Sequence, residues 1–474
     1  MKKTVVLYPG LYASHFVPMM QIADVLLEEG YAVAVALIDL TMEQDPTFAA
    51  AVGRVVAAKP SVAFHTLPRI HDPPTFPNDA AILGYLETVR RYNEHLREFL
   101  CSMSPGSIHA VIVDAPSIAA FDVAKALGIP AYSFFASNAS ALAVFLQLPW
   151  IRAEGRPSFR EAGDAPLRIS GVPPVPASHL MRELHEDPES EVYRATMNMF
   201  CETLDADGIL VNTFASLEAR VVGALRDPLF LPVGAPRRMP PVYCVGPLVL
   251  GAGETEEATR HRCLAWLDEQ PDRSVVFLCF GGTGAVSHSA AQLKEIAVGL
   301  ERSGHRFLWV VRAPPGADDP NLDALLPEGF LERTNGRGLL IKLWAPQVDV
   351  LHHRATGAFV THCGWNSVLE GIMAGVPMLC WPLYAEQKMN KVFMVEMGIG
   401  IDVAGWQQGL VRAEEVEAKV RLVMESEKGQ QLRARVTAHG EAAAMAWKDG
   451  GSSRAAFSQF VSDVSNPEQK QTHA

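Results

Sequence analysis

Short apolar runs alternate with stretches of helical spacing along the first half of this chain. Thr4–Tyr8, Tyr31–Ile38, Val62–Leu67, Ala110–Val113, Ala131–Phe135 and Gly208–Val211 read as strands. Val17–Glu29, Ala81–Leu100, Phe121–Leu127 and Glu191–Thr203 bring their apolar residues round to one helix face. The alternation predicts a parallel sheet flanked by helices. A second series starts near Cys263, with strands at Val275–Phe280, Phe307–Val311, Leu339–Lys342, Gly357–Val360 and Pro377–Cys380. Two longer helices are expected at Ala413–Ser426 and Lys428–Trp447.

Two stretches break the pattern. Trp150–Pro176 is rich in Pro, Gly and charge without a period, and reads as a long surface loop. Pro228–Glu256 clusters prolines before Gly-Ala-Gly-Glu, and reads as the linker. The expected organisation is α/β: a first Rossmann-like domain over 1–247, a linker over 248–258 and a second Rossmann-like domain over 259–452. Both are doubly wound, and their strand C-termini are expected to face a central cleft, where such sheets bind ligands.

Composition narrows the class. Hydrophobic residues at 49% and charged residues at 20% describe a globular enzyme with a large core. A net charge of −12 argues against nucleic acid or an anionic membrane as partner. The seven cysteines include no C-x-x-C pair, so reduced, cytoplasmic usage is expected. The opening MKKTVVLYPGLY imitates a signal peptide, but Pro9 and Gly10 interrupt its short apolar run, which favours a first strand. No run is long enough for a membrane span.

Candidate chemistry concentrates between Trp344 and Gln387. After the strand Gly357–Val360 and Thr361 comes a turn, His362-Cys363-Gly364-Trp365, then Asn366 and Ser367 as helix caps. A strand feeding a helix in this way aims backbone N–H groups at an anion, and the helix dipole adds to them. His362 could donate to the same anion. Glu370 lies one turn on from Asn366, where the pair could hold a ribose diol. Cys363 reads as a buried thiol rather than a nucleophile. His352 and His353 are adjacent and point apart, so no metal site is expected.

A second constellation lies near the start. His15 falls in the loop after the first strand, and Asp114 ends the run Ala110–Val113. Both are expected at C-terminal strand ends of one sheet. A hydroxyl nucleophile needs a base, which a neutral imidazole supplies, and a carboxylate would orient the ring and stabilise its cation.

The Trp344–Gln387 segment resembles, from end to end, the signature box of plant secondary-product UDP-dependent glycosyltransferases. The similarity extends over nearly the whole chain to His15, and more loosely to grass flavonoid O-glucosyltransferases. The resemblance implies the glycosyltransferase-B fold, UDP-glucose as co-substrate, inversion at the anomeric carbon and no cofactor or metal. It implies a final helix near Ser453–Val464, with residues 453–474 returning to the first domain. It also implies a catalytic dyad of His15 and Asp114. Trp344 would stack uracil, Ala345 would read the base through its backbone, and Gln347 and Glu370 would bond ribose. His362, Gly364, Asn366, Ser367 and Thr283 would surround the diphosphate. Trp365, Glu386 and Gln387 would face the sugar, the terminal Gln going with glucose rather than galactose.

The acceptor is expected to be a phenolic small molecule such as a flavonoid. Candidate walls are Phe16, Leu83, Phe135, Phe145, Met197 and Phe200, and the chain is expected to act as a monomer. Two departures stand out: Gly282 replaces the usual Ser, and Ala136 replaces a Thr able to touch the sugar. Rival readings are C- rather than O-glucosylation, a UDP-sugar epimerase on the same fold, and a non-catalytic UDP-sugar-binding protein. His15, Asp114 and the Trp150–Pro176 segment argue against the epimerase.

Overall fold

A computed structural model describes residues 2–39, 46–75, 80–152, 157–232, 235–249, 261–281, 287–313 and 321–466. The chain divides into two compact units, Met1–Val249 with Met445–Ala474, and Leu250–Ala444.

The first unit runs β1 (Thr4–Tyr8), α1 (Ala13–Glu28), β2 (Ala32–Leu37), α2 (Pro46–Ala58), β3 (Ala63–Thr66), α3 (Ala81–Ser102) and β4 (Ile108–Asp114). It continues through α4 (Phe121–Ala126), β5 (Ala131–Phe135), α5 (Ala139–Ile151), α6 (Glu191–Glu202), β6 (Ile209–Val211), α7 (Ala219–Leu225) and β7 (Val242–Cys244). The sheet order is β3-β2-β1-β4-β5-β6-β7, and every pairing is parallel. Connections turn one way from β1 to β3 and the other way from β4 onward, so the switch lies between β1 and β4.

The second unit runs α8 (Arg262–Asp268), β8 (Val275–Cys279), α9 (Ala290–Ser303), β9 (Arg306–Val311), β10 (Gly338–Lys342), α10 (Gln347–His352) and β11 (Thr356–Thr361). Then follow α11 (Trp365–Met373), β12 (Met378–Cys380), α12 (Gln387–Met397), β13 (Gly400–Asp402), α13 (Ala413–Glu425) and α14 (Glu427–Ala446). The order β10-β9-β8-β11-β12-β13 is again all parallel, with its switch between β8 and β11. Two doubly wound sheets of this kind match the expected fold class.

The core forms because strands buried on both faces must be covered on both. On one face of the first sheet, Phe16, Met19 and Leu26 of α1 pack with Phe48 and with Phe457 and Phe460 of the last helix, α15 (Ser452–Ser465). On the other, Tyr85, Tyr92 and Leu96 of α3 cover Tyr8 and Val111. α15 lies on β7: Phe460 meets Tyr132 edge-on at 4.9 Å, and the Tyr243 hydroxyl donates to Asp463 at 2.5 Å.

Several elements differ from the sequence expectation. β7 and β13 are three-residue strands, too short for a period-two signal. α5 is apolar on nearly every side, so it carries no stripe. β3, at the sheet edge, is largely exposed. The described residues of Trp150–Pro176 include a helical turn at Phe159–Ala162, capped by Ser158 and Glu161, and an antiparallel pair, Pro166–Leu167 with Val175–Pro176. Among the described residues, no helix is long and apolar enough to cross a membrane.

Candidate functional site

The first cluster forms at the β1/β4 switch. Tyr12 is the N-cap of α1, so His15 sits in the helix's first turn rather than in the expected loop. Asp114 is the last residue of β4 and is fully buried. The His15 Nδ1 lies 2.9 Å from Asp114 Oδ1 and 3.1 Å from Oδ2. A carboxylate only accepts, so Nδ1 carries the proton, and in a neutral ring Nε2 is then the basic nitrogen. The His15 side chain is 28% exposed, so its ring reaches the surface of the unit.

Residues that the sequence reading did not single out hold this pair. The Tyr85 hydroxyl lies 2.9 Å from Ser117 Oγ and 3.4 Å from Asp114 Oδ2. Burial first, then the Asp114 charge, pushes that phenol well above its ordinary pKa, so it remains a donor. Tyr12 stacks on Tyr85 at 4.9 Å and meets the His15 ring edge-on at 5.4 Å. Gly10 allows the approach, because a Cβ there would lie 1.8 Å from the Tyr85 hydroxyl and 2.6 Å from Asp114 Oδ2. Tyr85 falls on the core-facing side of α3, where a functional tyrosine and a packing one leave the same sequence trace.

The second cluster forms where β8 and β11 diverge. α11 begins at Trp365 with Gly364 as N-cap and no side-chain cap. Asn366 and Ser367 therefore lie inside the first turn rather than capping it. A helix start of this kind, its backbone N–H groups and dipole together, suits an anion. Cys363 takes φ +65 in the turn, a left-handed conformation rare for residues other than glycine. His362 is buried, and its imidazole is pushed down to about 4 by burial, with the charge of Arg312 adding. It is thus neutral at cellular pH. Its Nε2 lies so near the turn that a Cβ on Gly364 would come within 2.4 Å, and one on Gly281 within 2.9 Å. Gly281 also has φ +94. Thr283 lies outside the described residues.

The Gln347 amide donates to Ser367 Oγ at 2.9 Å and to Glu370 Oε2 at 2.6 Å, which joins α10 to α11. Burial raises the Glu370 carboxyl to about 7 against the lowering effect of that bond. Trp344 is 40% exposed and rests edge-on against His261 at 5.7 Å, while Ala345 beside it is buried. Trp365 is buried. Gln387 is also buried, and its Oε1 accepts from the backbone N–H groups of Leu383 and Tyr384 at 3.0 Å each. This leaves the amide nitrogen as its donor toward a ligand. Asn390 ties the cluster together, donating to the Cys363 carbonyl at 3.0 Å and to Glu386 Oε1 at 3.3 Å.

The acceptor-wall candidates do not form one group. Phe145 stacks on Phe200 at 4.5 Å with Phe135 edge-on at 6.2 Å, and Met197 is half-buried on the same helix as Phe200. Leu83 instead lines a cavity of about 720 Å³ with Leu86, Glu87, Met199 and Glu202. Phe16 is fully enclosed beside Phe48, so the structure assigns it to the core and not to a ligand wall. It follows His15 in the helix and points to the other side. Among the described residues, no group of three or more His, Cys, Asp or Glu is placed to hold a metal ion.

The family model described as "UDP-glucoronosyl and UDP-glucosyl transferase" matches residues 230–432. An anthocyanidin 5,3-O-glucosyltransferase of a Rosa hybrid cultivar is 39% identical, covering 96% of this chain and 98% of its own. A phloretin 2'-O-glucosyltransferase of Malus domestica is 39% identical, covering 98% of this chain and all of its own. Among solved structures, Phytolacca americana UGT2 with UDP-2-fluoro-glucose and pterostilbene superposes with a TM-score of 0.85 at 33% identity, covering 98% of this chain and 100% of that one.

Proposed function

Because the chain belongs to the UDP-dependent glycosyltransferase family and is a glycosyltransferase, we propose that it transfers glucose from UDP-glucose to a hydroxyl of a phenolic acceptor. The acceptor is of flavonoid type, and the product is a β-O-glucoside formed with inversion. The observation that carries this reading is the 2.9 Å contact between His15 Nδ1 and Asp114. It holds the imidazole in the tautomer that a base requires.

The acceptor hydroxyl gives its proton to His15 Nε2 as its oxygen bonds to the anomeric carbon. The bond from that carbon to the β-phosphate oxygen breaks, and its electron pair leaves with UDP. Asp114 stabilises the imidazolium, and general-base help of this kind is worth roughly 10²–10⁴-fold.

Each donor role follows from local chemistry. The exposed face of Trp344 suits the uracil ring, with the Ala345 backbone at the base edge. Gln347 and Glu370 are already linked and present an acceptor pair to the ribose diol. His362, Gly364, Asn366 and Ser367 surround a helix start that has no side-chain cap, where charge grows on the leaving diphosphate. The Gln387 amide nitrogen and Glu386 meet sugar hydroxyls, and a mismatched hydroxyl there costs about 1–3 kcal/mol. The aromatic cluster of Phe135, Phe145 and Phe200 suits a flat aromatic aglycone. The acceptors named for the rose and apple relatives support that class.

The test is incubation with UDP-glucose and a panel of flavonoids and dihydrochalcones. Mass spectrometry should find a hexose adduct, and the proton coupling at its anomeric centre should be that of a β-glucoside. Hydrolysis of UDP-glucose without any adduct across the panel, or an α-linked product, contradicts the proposal.

A further inference from the structure

Beside the donor site stands a cation, Arg312, to which the family box gives no role. Arg312 follows the last residue of β9, as His362 follows the last residue of β11. The two strands flank β8, with Leu278 opposite both Trp309 and Val360. Continuing those registers sets Arg312 level with Gly281 and His362 level with Phe280. Two nitrogen side chains thus stand on either side of the strand end at the sheet's switch point.

Both hold an unmatched polar atom. Among the described residues, Arg312 Nε and His362 Nδ1 are buried without a hydrogen-bond partner. Native interiors pair such groups nearly always, so an exception calls for an absent partner. The Arg312 charge acts on His362 and on Cys279 at the end of β8, which locates it at this edge. An arginine so placed favours an anion, and its planar fork suits two phosphate oxygens. The net charge of −12 makes a local cation more necessary for an anionic ligand.

Resting on the proposed donor site, we propose that Arg312 is a further donor-binding residue. It pairs with the diphosphate of the UDP-sugar and stabilises the charge that builds on UDP as the glycosidic bond to phosphate breaks. It supplies the fixed positive charge that a neutral His362 does not. The nucleoside end of the donor does not depend on it.

Arg312→Gln and Arg312→Lys, both checked for an unchanged melting temperature, are titrated with UDP and with uridine by calorimetry. For Arg312→Gln the expected result is a loss of UDP affinity of about tenfold or more with uridine affinity within about twofold of wild type. Arg312→Lys keeps the charge and should recover part of the loss. UDP affinity of Arg312→Gln within twofold of wild type overturns the inference. Equal losses for UDP and uridine also overturn it, since they would mark a structural role. A wild-type protein that binds neither ligand refutes the donor-site reading itself and takes the inference with it, a result separable from the others because the variants play no part in it.

Discussion

Glu370 is half-buried in α11 with Gln347 as its donor, and burial holds its carboxyl up at about 7. In the unfolded chain the same group ionises near 4.5. The raised value means that folding is favoured by this group below about pH 4.5, and that the contribution is lost as pH rises through about 7. Glu370→Gln removes the penalty, so thermal melting at pH 8 should rise by ~2 °C or more, with little change at pH 4.5. The same substitution should weaken UDP, because a ribose diol donates better to a carboxylate than to an amide. An equal shift in melting at both pH values would show that the carboxyl titrates normally. His15, Asp114, Gln347 and Glu370 were legible because each is polar at the end of an apolar run or in a helix's first turns. Tyr85, Gly10 and Arg312 were not, since a tyrosine on a helix's inner face, a glycine after a strand and an arginine after another are ordinary in packing and turns. Phe16 misled for the opposite reason: next to a functional residue in sequence, it points into the core.

At the scale of elements, the β11–α11 joint is the most constrained part of the second unit. Cys363 is held at positive φ, Asn390 fastens its carbonyl, and Gly281 and Gly364 leave room for the His362 ring. A methyl at Gly364 would meet His362 Nε2 at 2.4 Å, so either the ring or the helix start must move. Gly364→Ala should therefore lower UDP affinity by about tenfold, because a shift of this size breaks hydrogen-bond geometry at the helix start. Calorimetric titration checks this, and unchanged affinity would mean that the imidazole has no part in binding. The strand–turn–helix rhythm of this joint could be read because its apolar run is long and its turn residues polar. The helix start was misread by two residues: Asn and Ser favour caps, but tertiary fit set the cap at Gly364. Three-residue edge strands and the all-round apolar α5 escaped because neither has a period to detect.

Across the whole molecule, each sheet places its candidate chemistry at its own switch point, the proposed base in the first unit and the proposed donor groups in the second. The chain then returns, and α15 completes the core of the first unit through Phe457 and Phe460. Phe460 is 1% exposed and touches Tyr132 and Tyr243, so Phe460→Ala should cost about 3–5 kcal/mol in urea denaturation of the first unit. UDP affinity of the folded protein should stay unchanged, and a loss of less than about 1 kcal/mol would show that α15 is dispensable to that core. The alternation of strands and helices made both doubly wound sheets readable, whereas the acceptor walls depend on which side of its own element each residue faces, and composition does not carry that. The central claim is that His15 takes the acceptor's proton while the donor is held by other residues. Turnover of His15→Ala with UDP-glucose and a reactive phenolic acceptor tests it most directly, alongside its UDP affinity. The account predicts a fall in kcat of about 10²-fold or more with UDP affinity unaltered. Glucosylation at close to the wild-type rate would contradict it.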